Sequence, residues 1–271
     1  MPDIRLERPG DPRVAEYRDV PEPELIRARG LFVAEGRLVV RRLIDERRYG
    51  VRSLLLSDAA RGDLEPWLAR LDPDVPVYIC AADHFLDMTG LDIHRGCLAL
   101  VQRPPASPLD DVLRDARLVV ALEDVANADN VGGVFRNVAA FGADAVLLSP
   151  SCCDPLYRKA IRTSMAATLR VPFARIDAWP EGLSDLRVRG FTLVALTPRE
   201  PARPLDSFAR TGRPGRLVLL VGAEGAGLSP AVERAADVRV RIPVRPAVDS
   251  LNLAVATGIA LASLTRAADL E

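Results

Sequence analysis

The sequence predicts an α/β protein in two layered parts, and three observations carry that reading. Short apolar runs alternate with helical segments along most of the chain. The runs at 118–122 and 217–221 are apolar at every position, as expected for a parallel sheet covered on both faces. The chain is divided once, at Arg103-Pro104-Pro105-Ala106-Ser107-Pro108, where prolines can continue neither a central strand nor a helix. The expected organisation is an N-terminal domain over 1–103, a linker over 104–108 and a C-terminal domain over 109–271. With 271 residues, 49% hydrophobic and 27% charged, each part is long enough to bury a core.

Taken in order, residues 1–20 mix Arg, Glu, Asp and Pro without a period and read as an extended arm or a loosely docked segment. Pro21-Glu22-Pro23 opens a short helix, since proline is accepted in a first turn. A strand is expected at 31–34. The helix at 37–45 places Val39, Val40, Leu43 and Ile44 on one face, with Arg41, Arg42 and Arg48 on the other. Strands at 51–56, 75–80 and 97–102 alternate with helices at 65–71 and from Asp83 to near Gly90. Beyond the prolines the pattern predicts a helix at 109–114, a strand at 118–122, and a loop opening a helix that carries Arg136. A strand at 145–148, a helix at 158–169 and an extended run at 171–174 come next. Strands at 192–196, 217–221 and 238–242 lead to an apolar helix at 253–264. Five or six strands alternating with helices place any site at the carboxyl ends of the strands.

Composition narrows the function classes. Met1-Pro2-Asp3-Ile4-Arg5 is charged and has no apolar leader, and the last apolar stretch is broken by Ser250, Asn252, Thr257 and Gly258. A cytoplasmic protein is expected. Four cysteines with no CxxC pair, and only two histidines, supply few zinc ligands, so no metal is expected. Cys152-Cys153 is open to two readings, a reactive pair or small buried residues near a strand end, and the second is simpler. A net charge of −1 argues against a strong nonspecific nucleic-acid binder but leaves room for a local patch. Lys159 is the only lysine, so any such patch is built from arginine, which grips phosphate bidentately.

Three loops carry residue types suited to chemistry. In Asn130-x-Gly132-Gly133-x-x-Arg136 the asparagine is placed to cap a helix and the glycines allow close approach of the backbone. A capped helix with a surface arginine explains the same residues. Gly222-Ala223-Glu224-Gly225-Ala226-Gly227 follows a strand and precedes a helix, a natural seat for a nucleotide-like ligand. Its glycine order is neither the dinucleotide fingerprint nor a Walker loop, which excludes the usual dinucleotide enzyme. Ile242-Pro243 precedes Ser250-Leu251-Asn252, and either Ser250 or Asn252 can cap the last helix. Two polar groups beside so apolar a helix call for a second partner.

Together these loops resemble the three motifs of the SpoU (TrmH) family of RNA ribose 2′-O-methyltransferases, in the SPOUT superfamily. The likeness rests on Glu123 with Asn130-Val131-Gly132 and Arg136, on Gly222-Ala223-Glu224-Gly225-x-Gly227-Leu228, and on Ile242-Pro243 with Val248-Asp249-Ser250-Leu251-Asn252. It covers about 110–268. A second likeness, through Phe32-Val33-Ala34-Glu35-Gly36 and His94-Arg95-Gly96, is to that family's small α/β/α ribosomal-protein-like RNA-binding domain. The resemblance implies a SPOUT domain with a mostly parallel sheet and a deep trefoil knot. It implies a homodimer and S-adenosylmethionine held by Leu196, Thr197, Gly222, Ala223, Glu224, Gly225, Ile242, Pro243, Val244, Ser250, Leu251 and Asn252. Arg136, Asn130, Glu224, Ser250 and Asn252 are the implied catalytic set. The reaction implied is methylation of a ribose 2′-hydroxyl in ribosomal RNA. Transfer RNA as substrate, or an RNA-binding member without catalysis, are the alternatives. Arg37, Arg41, Arg42 and Arg48 are candidate RNA contacts, and a solvated helix face explains them as well. The chain departs from the family at Asn137-Val138, at Ser164-Met165-Ala166, where relatives often have Ser-Ala-Gly, and at Ala254, where a small hydroxyl residue is frequent.

Overall fold

In the computed structural model, residues 3–8, 10–18, 21–89, 96–211, 213–245 and 250–265 are described. The helix end expected near Gly90, His94-Arg95 of the second likeness and Val248-Asp249 of the third motif lie outside these residues. The chain forms two compact units, one from 1–105 with 156–166, the other from 106–155 with 167–271.

The first unit contains β1 (Asp3–Arg5), α1 (Ala15–Arg18), α2 (Glu22–Ala28), β2 (Leu31–Glu35), α3 (Arg37–Glu46), β3 (Val51–Ser57), α4 (Asp58–Leu68), β4 (Val77–Cys80), α5 (Phe85–Thr89) and β5 (Cys97–Gln102). The sheet order is β1-β4-β3-β5-β2, with β4 parallel to both neighbours and β5 antiparallel to both of its own. The arm expected over 1–20 is corrected by this structure. Residues 3–5 form an edge strand on β4, and Leu6, Val14 and Tyr17 are buried with Leu55, Leu98 and Leu100. The Tyr17 hydroxyl answers a register shift between Val51 and Ser53. It lies 2.7 Å from Ser53 Oγ, donates to Ser53 O at 3.0 Å and accepts from Leu100 N at 3.2 Å. Burial pushes the pKa of this hydroxyl up, which keeps it protonated as a donor.

The helix expected at 65–71 begins seven residues earlier, at Asp58, with Ser57 Oγ accepting from Ala60 N at 3.2 Å. Gly62 and Pro66 hide its first turns from a propensity reading. On α3 the predicted apolar face is buried, and the arginines opposite are engaged. Arg37 pairs with Asp63, Arg41 stacks on Trp67 at 4.3 Å, and Arg42 donates to the Met165 carbonyl.

The remaining elements are α6 (Leu109–Leu113), β6 (Leu118–Glu123), α7 (Ala128–Phe141), β7 (Ala145–Leu148), α8 (Arg158–Thr163), β8 (Phe173–Arg175), α9 (Leu183–Val188), β9 (Thr192–Leu196), β10 (Arg203–Pro204), α10 (Leu205–Arg210), β11 (Leu217–Gly222), α11 (Pro230–Ala235), β12 (Val238–Arg241) and α12 (Leu253–Leu264). The single helix expected at 158–169 is broken. Met165 and Ala166 adopt left-handed φ of 53° and 67°, and Ala166 N closes on Ile161 O at 2.9 Å. This is a C-terminal cap made without the usual glycine, so the sequence carries no stop signal. The α8 segment belongs to the first unit, where it lies against β2. Glu35 accepts from Arg158 at 3.2 Å and Arg162 at 3.3 Å, while Glu22 accepts from Arg158 N at 2.5 Å.

The second unit is built on a seven-stranded sheet, β10-β12-β9-β11-β6-β7-β8, with every pairing parallel. The sequence reading missed α9, β10 and α10, which are too short for a clear period. From β6 the chain winds outward through β7 and β8, then returns to β9 on the other side. Crevices for ligands form at such reversals, beyond the carboxyl strand ends. The apolar run of β6 is buried along its whole length. Helix α12 is apolar on all sides and lies against α7, as a helix without a polar face must.

Candidate active site

The carboxyl ends of β9, β11 and β12 and the start of α12 enclose a largely apolar pocket. Its walls include Leu196, Thr197, Gly222, Ala223, Glu224, Gly225, Ile242, Val244, Ser250 and Leu251 from the expected cofactor set, joined by Pro198, Val221, Gly227, Leu253 and Ala256. Pro243 and Asn252 are not among the wall residues. The glycine turn folds back on itself: Gly227 N donates to Ala223 O at 2.9 Å, and Gly225 and Gly227 adopt φ of 84° and 70°. A Cβ on Gly222 would lie 2.1 Å from the Gly227 carbonyl carbon, so no side chain fits there.

At the rim of the pocket one amide connects the three loops. Asn252 caps α12, its Oδ1 accepting from Ala254 N at 3.0 Å and Val255 N at 3.2 Å. Its Nδ2 donates to Asn130 Oδ1 at 3.0 Å and to Glu224 Oε1 at 2.5 Å. Glu224 Oε1 also lies 3.4 Å from Leu253 N, at the positive end of the helix. Asn130 is therefore not the cap that its position suggests. Asn127 holds that role, accepting from Asp129 N at 2.9 Å, and Asn130 sits buried at the third position of α7, committed to Asn252.

Arg136 stands exposed on α7 and makes no hydrogen bond or ion pair among the described residues. Ser250 is exposed on the pocket wall. Gly133 allows α7 to approach α12 so closely that a Cβ there would lie 2.6 Å from Ala254 Cβ. Two family departures meet at this crossing, where Asn137 Nδ2 donates to the Ala254 carbonyl at 2.6 Å.

Trp179 and Ser229, to which the sequence reading gave no role, meet Glu123 of the first motif. Buried Glu123 accepts from Ser229 N at 2.7 Å, Ser229 Oγ at 2.8 Å and Trp179 Nε1 at 3.0 Å, tying the end of β6 to the start of α11. Ser229-Pro230 is a readable helix start, but its buried partner is not local. Cys152 and Cys153 are both buried, and Cys152 donates to Leu122 O at 3.2 Å.

The family model of the SpoU rRNA methylases matches residues 117–262. An uncharacterised tRNA/rRNA methyltransferase of Mycobacterium bovis is 40% identical over 262 residues, covering 95% of this chain and 90% of its own. The chain belongs to the SpoU rRNA methylase family. An AdoMet-bound rRNA methyltransferase from Sinorhizobium meliloti shares the fold, with a TM-score of 0.79, 26% identity and 96% of each chain covered. The SpoU methyltransferase AviRb from Streptomyces viridochromogenes is similar in fold alone, with a TM-score of 0.78 at 23% identity, covering 94% of this chain and 96% of that one. The family match spans all three residues of the Asn130–Glu224–Asn252 junction.

Proposed function

We propose that the protein methylates a ribose 2′-hydroxyl in structured RNA, ribosomal RNA in the first place, with S-adenosylmethionine as donor. The observation that carries this reading is the Asn252 amide, which joins Asn130 and Glu224 beside the pocket. The pocket suits the cofactor. Leu196, Val221, Ile242, Leu253 and Ala256 offer apolar walls for a purine, and side-chain-free Gly222 leaves backbone open to polar edges. Leu196, Thr197, the glycine turn, Ile242, Pro243, Val244 and Ser250-Leu251-Asn252 are assigned to hold it. When bound, it supplies a methyl group on a positively charged sulfur, already activated for transfer.

The protein's own contribution is positioning and charge. Arginine is a poor base, because its pKa exceeds about 12. Arg136 is assigned to the phosphate beside the reacting nucleotide and to the developing alkoxide, a role suited to an exposed cation that has no partner among the described residues. Asn130 and Asn252 fix the rim, and Glu224 anchors the glycine turn to the first turn of α12. In-line alignment of hydroxyl and methyl supplies much of the remaining acceleration. The first unit is assigned to RNA binding. Arg48 and the exposed parts of Arg37, Arg41 and Arg42 are its candidate phosphate contacts. The protein is assigned to the cytoplasm as a homodimer, its terminal segment closing a trefoil knot, a rare exception among folds. The winding of the parallel sheet and the apolar α12 support that assembly.

Mapping 2′-O-methyl sites in total RNA with and without the gene tests the reading, and an unchanged map overturns it. Arg136→Ala is expected to abolish transfer while leaving cofactor affinity within about threefold. Loss of cofactor binding as the main defect would reject the assigned role.

A further inference from the structure

We propose that Arg199 and Glu233 are positioning residues that set cofactor affinity by clamping two pocket loops together; this rests on the assignment of the pocket to S-adenosylmethionine. Neither residue lines the pocket. Arg199 reaches across from the loop after β9 to the far side of the glycine turn. Its guanidinium donates to Ala226 O at 2.7 Å and Leu228 O at 2.9 Å, on either side of Gly227. It also donates to Glu233 Oε1 on α11 at 3.2 Å. That same oxygen accepts from Thr197 Oγ1 at 2.7 Å, and Thr197 Oγ1 in turn accepts from Arg199 N at 3.2 Å. The bonds close a ring through the 197–199 loop, the glycine turn and α11.

The ring has a chemical logic. Carbonyls 226 and 228 belong to a turn in left-handed backbone, with no regular element to satisfy them. One planar guanidinium holds both from two separate nitrogens in a fixed fork, whereas a lysine would have to serve them from a single one. The Glu233 side chain is only 8% exposed and needs a cation, whereas Arg199 is 47% exposed and can be replaced without opening the core. Leu196-Thr197-Pro198 and 222–227 are the two walls that the clamp spans. Its loss therefore frees the pocket from outside without removing any wall atom.

The test measures S-adenosylhomocysteine binding by calorimetry, and KM and kcat on RNA, for wild type, Arg199→Met, Arg199→Lys, Glu233→Gln and the double variant Arg199→Met/Glu233→Gln. Arg199→Met is expected to raise the Kd and the cofactor KM about tenfold or more, the loss of about one charge-assisted bond, with kcat and the RNA KM little changed. Arg199→Lys recovers only part of the affinity. The double variant regains the thermal stability that the unpaired carboxylate removes, yet keeps the weak binding. Wild-type-like affinity in Arg199→Met overturns the clamp. So does affinity that returns together with stability in the double variant, because the effect would then be on folding alone. Absence of binding by the wild type overturns the cofactor assignment instead.

Discussion

Asn252 does two jobs with the two ends of one side chain. Its oxygen caps α12, and its amide nitrogen joins Asn130 to Glu224. Substitutions can separate these jobs. Serine keeps the cap but has no amide to donate, so Asn252→Ser is expected to melt within a few degrees of wild type and to lose methyl transfer. Asn252→Ala loses both and costs a further ~1 kcal/mol, read by urea denaturation. A second residue-scale prediction concerns Ala166, held at φ 67° with a side chain that disfavours it. Left-handed backbone costs a non-glycine residue about 1–2 kcal/mol, part of which glycine returns as unfolded-state entropy. Ala166→Gly is therefore expected to stabilise the protein by ~1 kcal/mol, visible as a higher urea midpoint at unchanged slope. At this scale the sequence was informative about chemistry and poor about partners. Asn127 and Asn130 have identical capping potential, and only a side chain 122 residues away decides which of them turns inward.

Elements were legible wherever burial is encoded by a local period. The bounds of α12, β7 and β9 agree with the expected ones, because each is a mostly apolar segment between clear breaks. The N-terminal segment was illegible for the opposite reason. Leu6, Val14 and Tyr17 follow no period, and their burial depends on strands further along, with Tyr17 bonded to Ser53, 36 positions on. Tyr17 measures how firmly that segment is held. Tyr17→Phe leaves the Ser53 carbonyl and the Leu100 amide without their buried partner, an expected loss of about 1–3 kcal/mol. Amide exchange at Leu100 is expected to quicken in step, whereas unchanged protection there would show the segment to be peripheral.

For the whole molecule, α12 presents Val255 and Ile259, 52% and 39% exposed, one turn apart on the same side. If that stripe joins two copies, Val255→Asp with Ile259→Asp is expected to yield a monomer by light scattering, with the fold retained by circular dichroism. A monomeric wild type contradicts the assignment. The division of the chain into units has a different consequence, which concerns time. The first unit closes only with α8, and the Glu35 side chain, 10% exposed, depends on Arg158 and Arg162 for its neutralisation. A ribosome delivers Glu35 123 residues before the first of those arginines and 127 before the second. A nascent chain as long as the first unit's main segment therefore carries a carboxylate destined for burial with no cation to meet it. Domains that are continuous in sequence mature one after another during synthesis. Here the early unit waits for residues 156–166, which the chain carries inside the sequence of the later one, so a gene cut at the prolines delivers an incomplete first unit.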